Sequence, residues 1–262
     1  MGGAFVALAD DATLSWWNPA GLASSSLFST VLEGTHGDSS HMDTHAVAVA
    51  VPSLAFSYYR LPLSGIRPVG STVPPPVVRK DPGGLSQFGV TVGQSLGSHL
   101  VVASTLKVLH GNDYWRGDLD LGAIGHFGHV RMGIAVKNVT RPSFGTESDP
   151  IDLERLVRVG AAWTSDKAAS SAVSLTFDAD LTTVGTFAGD ERHLAAGAEL
   201  WASSRRIGAR GGFSVNTVGD TRLSQSAGLS LAIRKGMFLD GQLTGGLDDV
   251  RRGWGIGLRT AF

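Results

Sequence analysis

The stretch Val173-Ser174-Leu175-Thr176-Phe177-Asp178-Ala179-Asp180-Leu181 decides the fold. Successive side chains of a strand point to opposite sides, so its valine, leucines, phenylalanine and alanine share one face and its serine, threonine and two aspartates share the other. Strict alternation over this length marks a strand with one apolar and one wet face. The pattern recurs in Val130, Met132, Ile134 and Val136 against Arg131 and Lys137. It returns in Ile207, Ala209, Phe213 and Val215 against Arg206, Arg210 and Ser214, and in Leu229, Leu231 and Ile233 against Ser226, Ser230 and Arg234.

A soluble sandwich alternates too, so the connections discriminate. Candidate strands number about fourteen, the even count of a bacterial barrel. Tight connections are expected at Pro52-Ser53, Leu96-Gly97-Ser98, Phe127-Gly128, Ser165-Asp166-Lys167, Ser203-Ser204 and Lys235-Gly236. Longer ones are expected at 37–42, 62–84, 111–116, 141–152, 182–190, 218–221 and 247–251. Short turns at one end and long loops at the other belong to an all-β transmembrane antiparallel barrel, with its short turns periplasmic. Phe28, Tyr58, Trp163, Trp201 and Trp254 lie near expected strand ends, where a membrane barrel carries its aromatic rims.

Composition agrees. The 35 glycines would each cost roughly 1 kcal/mol in a helix interior, but suit strands that curve and approach closely. Charged residues are 17% and the formal net charge is −1, so neither a nucleic-acid footprint nor an acidic tail is present. The absence of cysteine excludes disulfides, thiolate metal sites and a cysteine nucleophile, and fits an oxidising compartment. Mean hydropathy is +0.09, yet no apolar run reaches the ~18 residues of a membrane helix, so a membrane protein of this sequence must be a barrel. Export needs a signal peptide; none is visible, and the precursor's start is expected to be missing ahead of Met1.

Residues 1–26 do not alternate. They run Met1-Gly2-Gly3-Ala4-Phe5 through Asp10-Asp11 and Trp16-Trp17 to Asn18-Pro19-Ala20-Gly21. Asp10 or Asp11 would cap a short helix that ends before Pro19. A segment too short and polar to span a bilayer, set before the first strand of a barrel, is expected to fold into the lumen as a hatch, with the barrel itself over 27–262.

Gly2-Gly3-Ala4-Phe5, Ala9-Asp10-Asp11-Ala12 and Asn18-Pro19-Ala20-Gly21-Leu22 resemble the N-terminal hatch of the FadL/TodX outer-membrane transporter superfamily, which includes the shorter PorV/PorQ-like barrels. The resemblance implies fourteen strands, an outer-membrane location and passive diffusion of a small hydrophobic molecule, such as a long-chain fatty acid or hydrocarbon. It implies a ligand pocket over the hatch, with Phe5, Leu8, Leu14, Trp16, Trp17, Asn18, Pro19 and Ala20 as the hatch and ligand-binding residues. PorV/PorQ-like members imply an alternative, a barrel that assists secretion or binds an envelope protein partner. Expected partners are therefore the outer-membrane bilayer, a hydrophobic small molecule and an envelope protein, with no nucleic acid.

Catalysis and cofactors are not expected. Gly-x-Ser-x-Gly does not occur, and an outer-membrane hydrolase would need a serine and histidine in hydrogen-bond contact at the rim. Gly253-Trp254-Gly255-Ile256-Gly257 alternates like a strand and precedes no helix, so it is no phosphate loop. His126 and His129 are too few to close a metal site, and Asp10 and Asp11, adjacent in sequence, point apart. Alternation turns Lys107, Asp118, Asp120, Arg131, Lys137, Arg158, Asp178, Asp180, Glu199, Arg206, Arg210, Asp240 and Arg259 inward, a hydrated lumen of mixed sign. The segment 62–84 carries Leu63, Ile66, Val69 and Val73 before Pro74-Pro75-Pro76, too apolar for a solvated loop. It could receive a ligand outside or constrict the pore. The last strand ends on an outward face of Trp254, Ile256, Leu258, Thr260 and Phe262, and the terminal aromatic resembles the signal by which outer-membrane barrels are recognised for insertion.

Overall fold

A computed structural model describes residues 1–24, 26–37, 43–62, 84–111, 114–146, 149–165, 171–186, 189–246 and 252–262. In chain order its strands are β1 (Ser29–Gly37), β2 (Thr44–Val51), β3 (Leu54–Pro62), β4 (Gly84–Leu96), β5 (Leu100–Gly111), β6 (Tyr114–Phe127), β7 (Val130–Lys137), β8 (Ser143–Thr146) and β9 (Asp149–Asp152). They continue with β10 (Leu156–Thr164), β11 (Ala172–Asp180), β12 (Val184–Thr186), β13 (Gly189–Glu191), β14 (His193–Ala202), β15 (Ile207–Asn216), β16 (Leu223–Arg234), β17 (Met237–Gly246) and β18 (Gly253–Ala261). Fourteen of these close one antiparallel barrel, and β8 with β9 and β12 with β13 form two small hairpins in its connections. Closure is made by β1 and β18, paired from Ser29 with Ala261 to Gly37 with Gly253. Phe28 and Phe262 extend this seam by exchanging backbone hydrogen bonds of 3.2 and 2.9 Å.

The two faces are inverted relative to a protein in water. Leu175 and Phe177 are 49% and 50% exposed, whereas Asp178 between its neighbours is 1% exposed. Ile134, Phe213, Leu229, Leu231, Leu243 and Ile256 are likewise outside and exposed. A continuous apolar exterior with its carboxylates and lysines inside is the surface a bilayer covers.

The expected aromatic rims are present at Phe28, Trp163 and Trp254, all exposed. Phe127 and Trp115 join them, each beside a histidine ring: His99 near Phe127 and His110 stacked on Trp115 at 4.2 Å between centroids. Tyr58 is half-buried against Phe88 at 4.9 Å. Trp201 is a correction. It shares the inward parity of Glu199 on β14 and is 3% exposed, edge-on to Phe238 at 5.4 Å. Arg206 is another, because it belongs to the exposed turn 203–206 and not to the inward face of β15.

The connections follow the expected asymmetry with two exceptions. Pairing of Gly111 with Tyr114 leaves only 112–113 between β5 and β6, because Tyr114, Trp115 and Arg116 continue the ladder opposite Gly111, His110 and Leu109. The turn expected at Ser165-Asp166-Lys167 is instead the longer connection 165–171, closed at its base where Ser165 N donates to Val173 O at 2.8 Å. Residues 63–83, with the apolar and triple-proline stretch, lie outside the described residues, as do 38–42 and 247–251.

Before β1 come a helical turn, α1 (Leu14–Trp17), and a 3-10 helix over Pro19–Ser24. The expected acidic cap is a correction: the N-cap of α1 is Thr13, with no side-chain cap, and Asp11 instead fixes Thr13, its carboxylate accepting the Thr13 N–H at 2.9 Å and the Thr13 hydroxyl at 2.5 Å. Small inward residues of the wall accommodate this segment. Ala9, Ala12, Leu14 and Leu22 form one buried cluster with Val31, Ala48, Ala50 and Ala55 of β1–β3.

Candidate functional site

The site is built between the N-terminal segment and the wall, and its geometry begins with how the segment is held. Asn18, fully buried, donates through its amide to the carbonyls of Val6 at 2.9 Å, Ala123 at 3.3 Å and Ile134 at 3.3 Å. Its Oδ1 accepts the Ala20 N–H at 3.0 Å. One side chain thus ties the segment to itself and to two strands more than a hundred residues away. The wall makes room for it with glycine. A Cβ on Gly122 would overlap the Asn18 amide oxygen, and a Cβ on Gly133 would lie 2.6 Å from Val6 O.

Asp178 makes the second anchor. One carboxylate oxygen accepts both the Phe5 N–H at 2.6 Å and the Val6 N–H at 2.9 Å. Charge-assisted bonds to paired backbone donors are among the stronger hydrogen bonds available. A third anchor is Lys137, whose ammonium donates to Trp16 O at 2.7 Å. Nearby, Lys107 is enclosed by Asp118 and Asp120, each at 2.7 Å, with the Asn138 amide oxygen at 3.0 Å. Buried charges persist only when paired and hydrogen-bonded in this way.

Between the aromatic side chains of the segment and part of the wall a space remains. A cavity of about 420 Å³ lies there, lined by Phe5, Trp16 and Trp17 with Met1, Asp11 and Thr13 of the segment, by Lys137 of β7, and by residues of β1, β2, β3, β15, β17 and β18. It reaches from Val31, which pairs with Arg259, to Thr35 and Thr44, the last pair at the long-loop end of β1 and β2. Phe5 and Trp17 stack at 5.4 Å, and Trp16 meets Tyr59 edge-on at 5.3 Å, so aromatic faces make one wall. The other wall is polar but satisfied within itself: Arg259 pairs with Asp240 at 3.1 Å, Arg210 with Asp240 at 3.5 Å, and Gln242 donates to Glu33 at 2.5 Å.

Of the eight residues expected at this site, the cavity brings together Phe5, Trp16 and Trp17. Leu8 and Leu14 are buried in the packing of the segment, and Pro19 and Ala20 sit in the 3-10 helix, where Ala20 packs on Val101 and Ile124. Asn18 is an anchor, not a lining residue. Tyr59, Glu33, Gln242 and Arg259 were not expected in the lining; their inward parity was the available signal, and only closure of β1 on β18 brings them together.

A serine and histidine do meet at the rim. Ser98 Oγ and His99 Nδ1 are 2.6 Å apart in the β4–β5 turn, both exposed. Neither lines a cavity described above, and among the described residues no carboxylate orients the imidazole.

No protein-family model matches the chain, and no curated protein sequence matches it. Solved structures do. The Ralstonia pickettii toluene transporter TbuX superposes with a TM-score of 0.62 at 13% identity, over 100% of this chain and 98% of that one. The Acinetobacter baumannii outer membrane protein Omp33 superposes with a TM-score of 0.57 at 9% identity, over 90% of this chain and 98% of its own. At such identities the likeness shows the fold, a closed outer-membrane-type barrel.

Proposed function

We propose that this chain is an outer-membrane barrel that passes small hydrophobic molecules by diffusion, with residues 1–26 acting as a hatch. The observation that carries the reading is the 420 Å³ cavity bounded by the aromatic rings of Phe5, Trp16, Trp17 and Tyr59. Ligand sites are concave, mostly apolar chambers with a few fixed polar groups, and this one has that composition. Arg259 and Arg210 pair with Asp240, Gln242 with Glu33, and Lys137 donates to Trp16 O, so the lining sets a few fixed polar groups beside the aromatic wall. The toluene transporter among the structural neighbours and the resemblance to the FadL/TodX superfamily support the same reading. A cavity of about 420 Å³ has room for a compact hydrocarbon such as toluene. We propose no catalytic role for the barrel.

The test is uptake of labelled toluene and of a labelled long-chain fatty acid by cells expressing the chain in their outer membrane. Expression should raise toluene entry severalfold, and Trp16→Glu, which puts a charge on the aromatic wall, should abolish the gain while the barrel still inserts. No gain with either compound, together with stable co-purification of an envelope protein, would instead favour the secretion-partner function.

A further inference from the structure

The outer wall carries a second depression, independent of the lumen. Ile207 of β15, Leu229 and Leu231 of β16, Leu239 and Gly241 of β17 and Ile256 of β18 line a groove of about 350 Å³. Its floor is Gly241, where a Cβ would meet nothing within 4 Å. Its sides are leucines and isoleucines that stand out from the wall, all 40% exposed or more.

The groove runs toward the short-turn end, where three cations gather. Arg206 closes the β14–β15 turn, and its carbonyl accepts the Ala232 N–H at 2.8 Å, fixing that turn against the end of β16. Arg234 ends β16, paired with Met237, and Lys235 opens the β16–β17 turn, after a register shift between Ala232 and Arg234 that leaves Ile233 as an extra residue. All three are exposed, and none has an acidic partner among the described residues. The neighbouring Arg205 is used differently, its guanidinium lying 5.3 Å from the Trp201 ring.

Depth links the groove to the charges. Leu229 and Arg234 are five residues apart, about 17 Å along a strand and about 13 Å in depth at the ~40° tilt of a barrel strand. One leaflet is about half of a ~30 Å hydrocarbon core. Three unpaired cations at headgroup level and an apolar slot one leaflet deep complement one kind of molecule. A zwitterionic headgroup brings its own cation and gains little from the cluster; an anionic one gains the full attraction.

We propose that the outward face of β15–β17 binds an anionic glycerophospholipid, its phosphate on Arg206, Arg234 and Lys235 and one acyl chain in the slot over Gly241. Exposed Arg and Lys side chains reach the headgroup level while their stems lie along apolar surface. The cluster lies at the short-turn end, so the site selects lipid from the leaflet at that end.

The test is native mass spectrometry of the full chain, stripped of lipid and titrated with an equimolar mixture of phosphatidylglycerol and phosphatidylethanolamine. One phosphatidylglycerol should be retained in preference. The triple variant Arg206→Gln, Arg234→Gln, Lys235→Gln should bind it about a hundredfold more weakly, since each cation near an anionic surface contributes roughly a factor of five. Gly241→Trp, which fills the slot and leaves every charge in place, should weaken it independently. Heat-modifiable migration on gels checks that both variants are folded barrels. Equal retention of the two lipids, or unchanged binding in either folded variant, overturns the proposal. So does full displacement by millimolar inorganic phosphate, or a dimer that Gly241→Trp converts to monomer, which would make the groove a contact between copies.

Discussion

The two sides of the lumen use glycine for opposite ends. On β6 and β7, Gly122 and Gly133 leave spaces that Asn18 and Val6 of the N-terminal segment fill, on β10 the place beside Gly160 is shared by Asp178 and Val6, and on β14 and β15 Met1 fills the spaces at Gly197 and Gly212. On β18, Gly255 and Gly257 also face inward, but the segment does not follow them and the space remains as cavity. Contact on one side is enforced by buried hydrogen bonds from Asn18, Asp178 and Lys137. The other side holds the segment at separate points, where the Met1 ammonium and the Gly2 N–H donate to Ser226 Oγ and the Ala12 N–H to Ser29 Oγ, and between them the wall's polar groups pair with one another.

Breaking the anchored side should have the largest effect. Asp178→Ala leaves the Phe5 and Val6 N–H groups buried without an acceptor, at about 1–3 kcal/mol each. The segment should then become accessible to protease in the folded barrel, and single-channel conductance in planar bilayers should rise. Gly122→Val, which drives a branched side chain into Asn18, should cost about 1–3 kcal/mol by overpacking and give a smaller rise in the same conductance. Gly255→Ala sharpens the contrast from the other side. Its Cβ would meet the Gln242 amide nitrogen and a Thr35 methyl, each at 2.9 Å and each on a side chain able to turn aside. Its stability cost in denaturant titration should stay below about 1 kcal/mol, and conductance should not rise. Equal effects at Gly122 and Gly255 would mean that the two sides are not distinct.

The outer wall was largely legible in the sequence and the inner arrangement only in part, for a physical reason. A bilayer imposes one rule on every outward position, so alternation in Val173–Leu181 or Leu229–Ile233 reports the face directly. Inward positions obey no single rule. Trp201 reads as a rim aromatic until pairing places it on the same face as Glu199 and opposite Phe238. The hairpins β8–β9 and β12–β13 hide in polar connections because strands of three or four residues carry too few alternations to register. Asn18 stands out in sequence, but its partners Ala123 and Ile134 are backbone carbonyls, to which composition and spacing are blind. The glycines opposite it are legible as glycines, and their purpose appears only once the segment is packed on them.

The claim that matters most is that the chamber beside Phe5, Trp16, Trp17 and Tyr59 receives the transported molecule. Crystals of the protein soaked with bromobenzene test it directly, because bromine is located by anomalous scattering. The account predicts a bromine peak between those four rings, lost in Trp16→Glu crystals that are otherwise unchanged. A chamber that holds no bromine while the halide collects elsewhere in the barrel would contradict it.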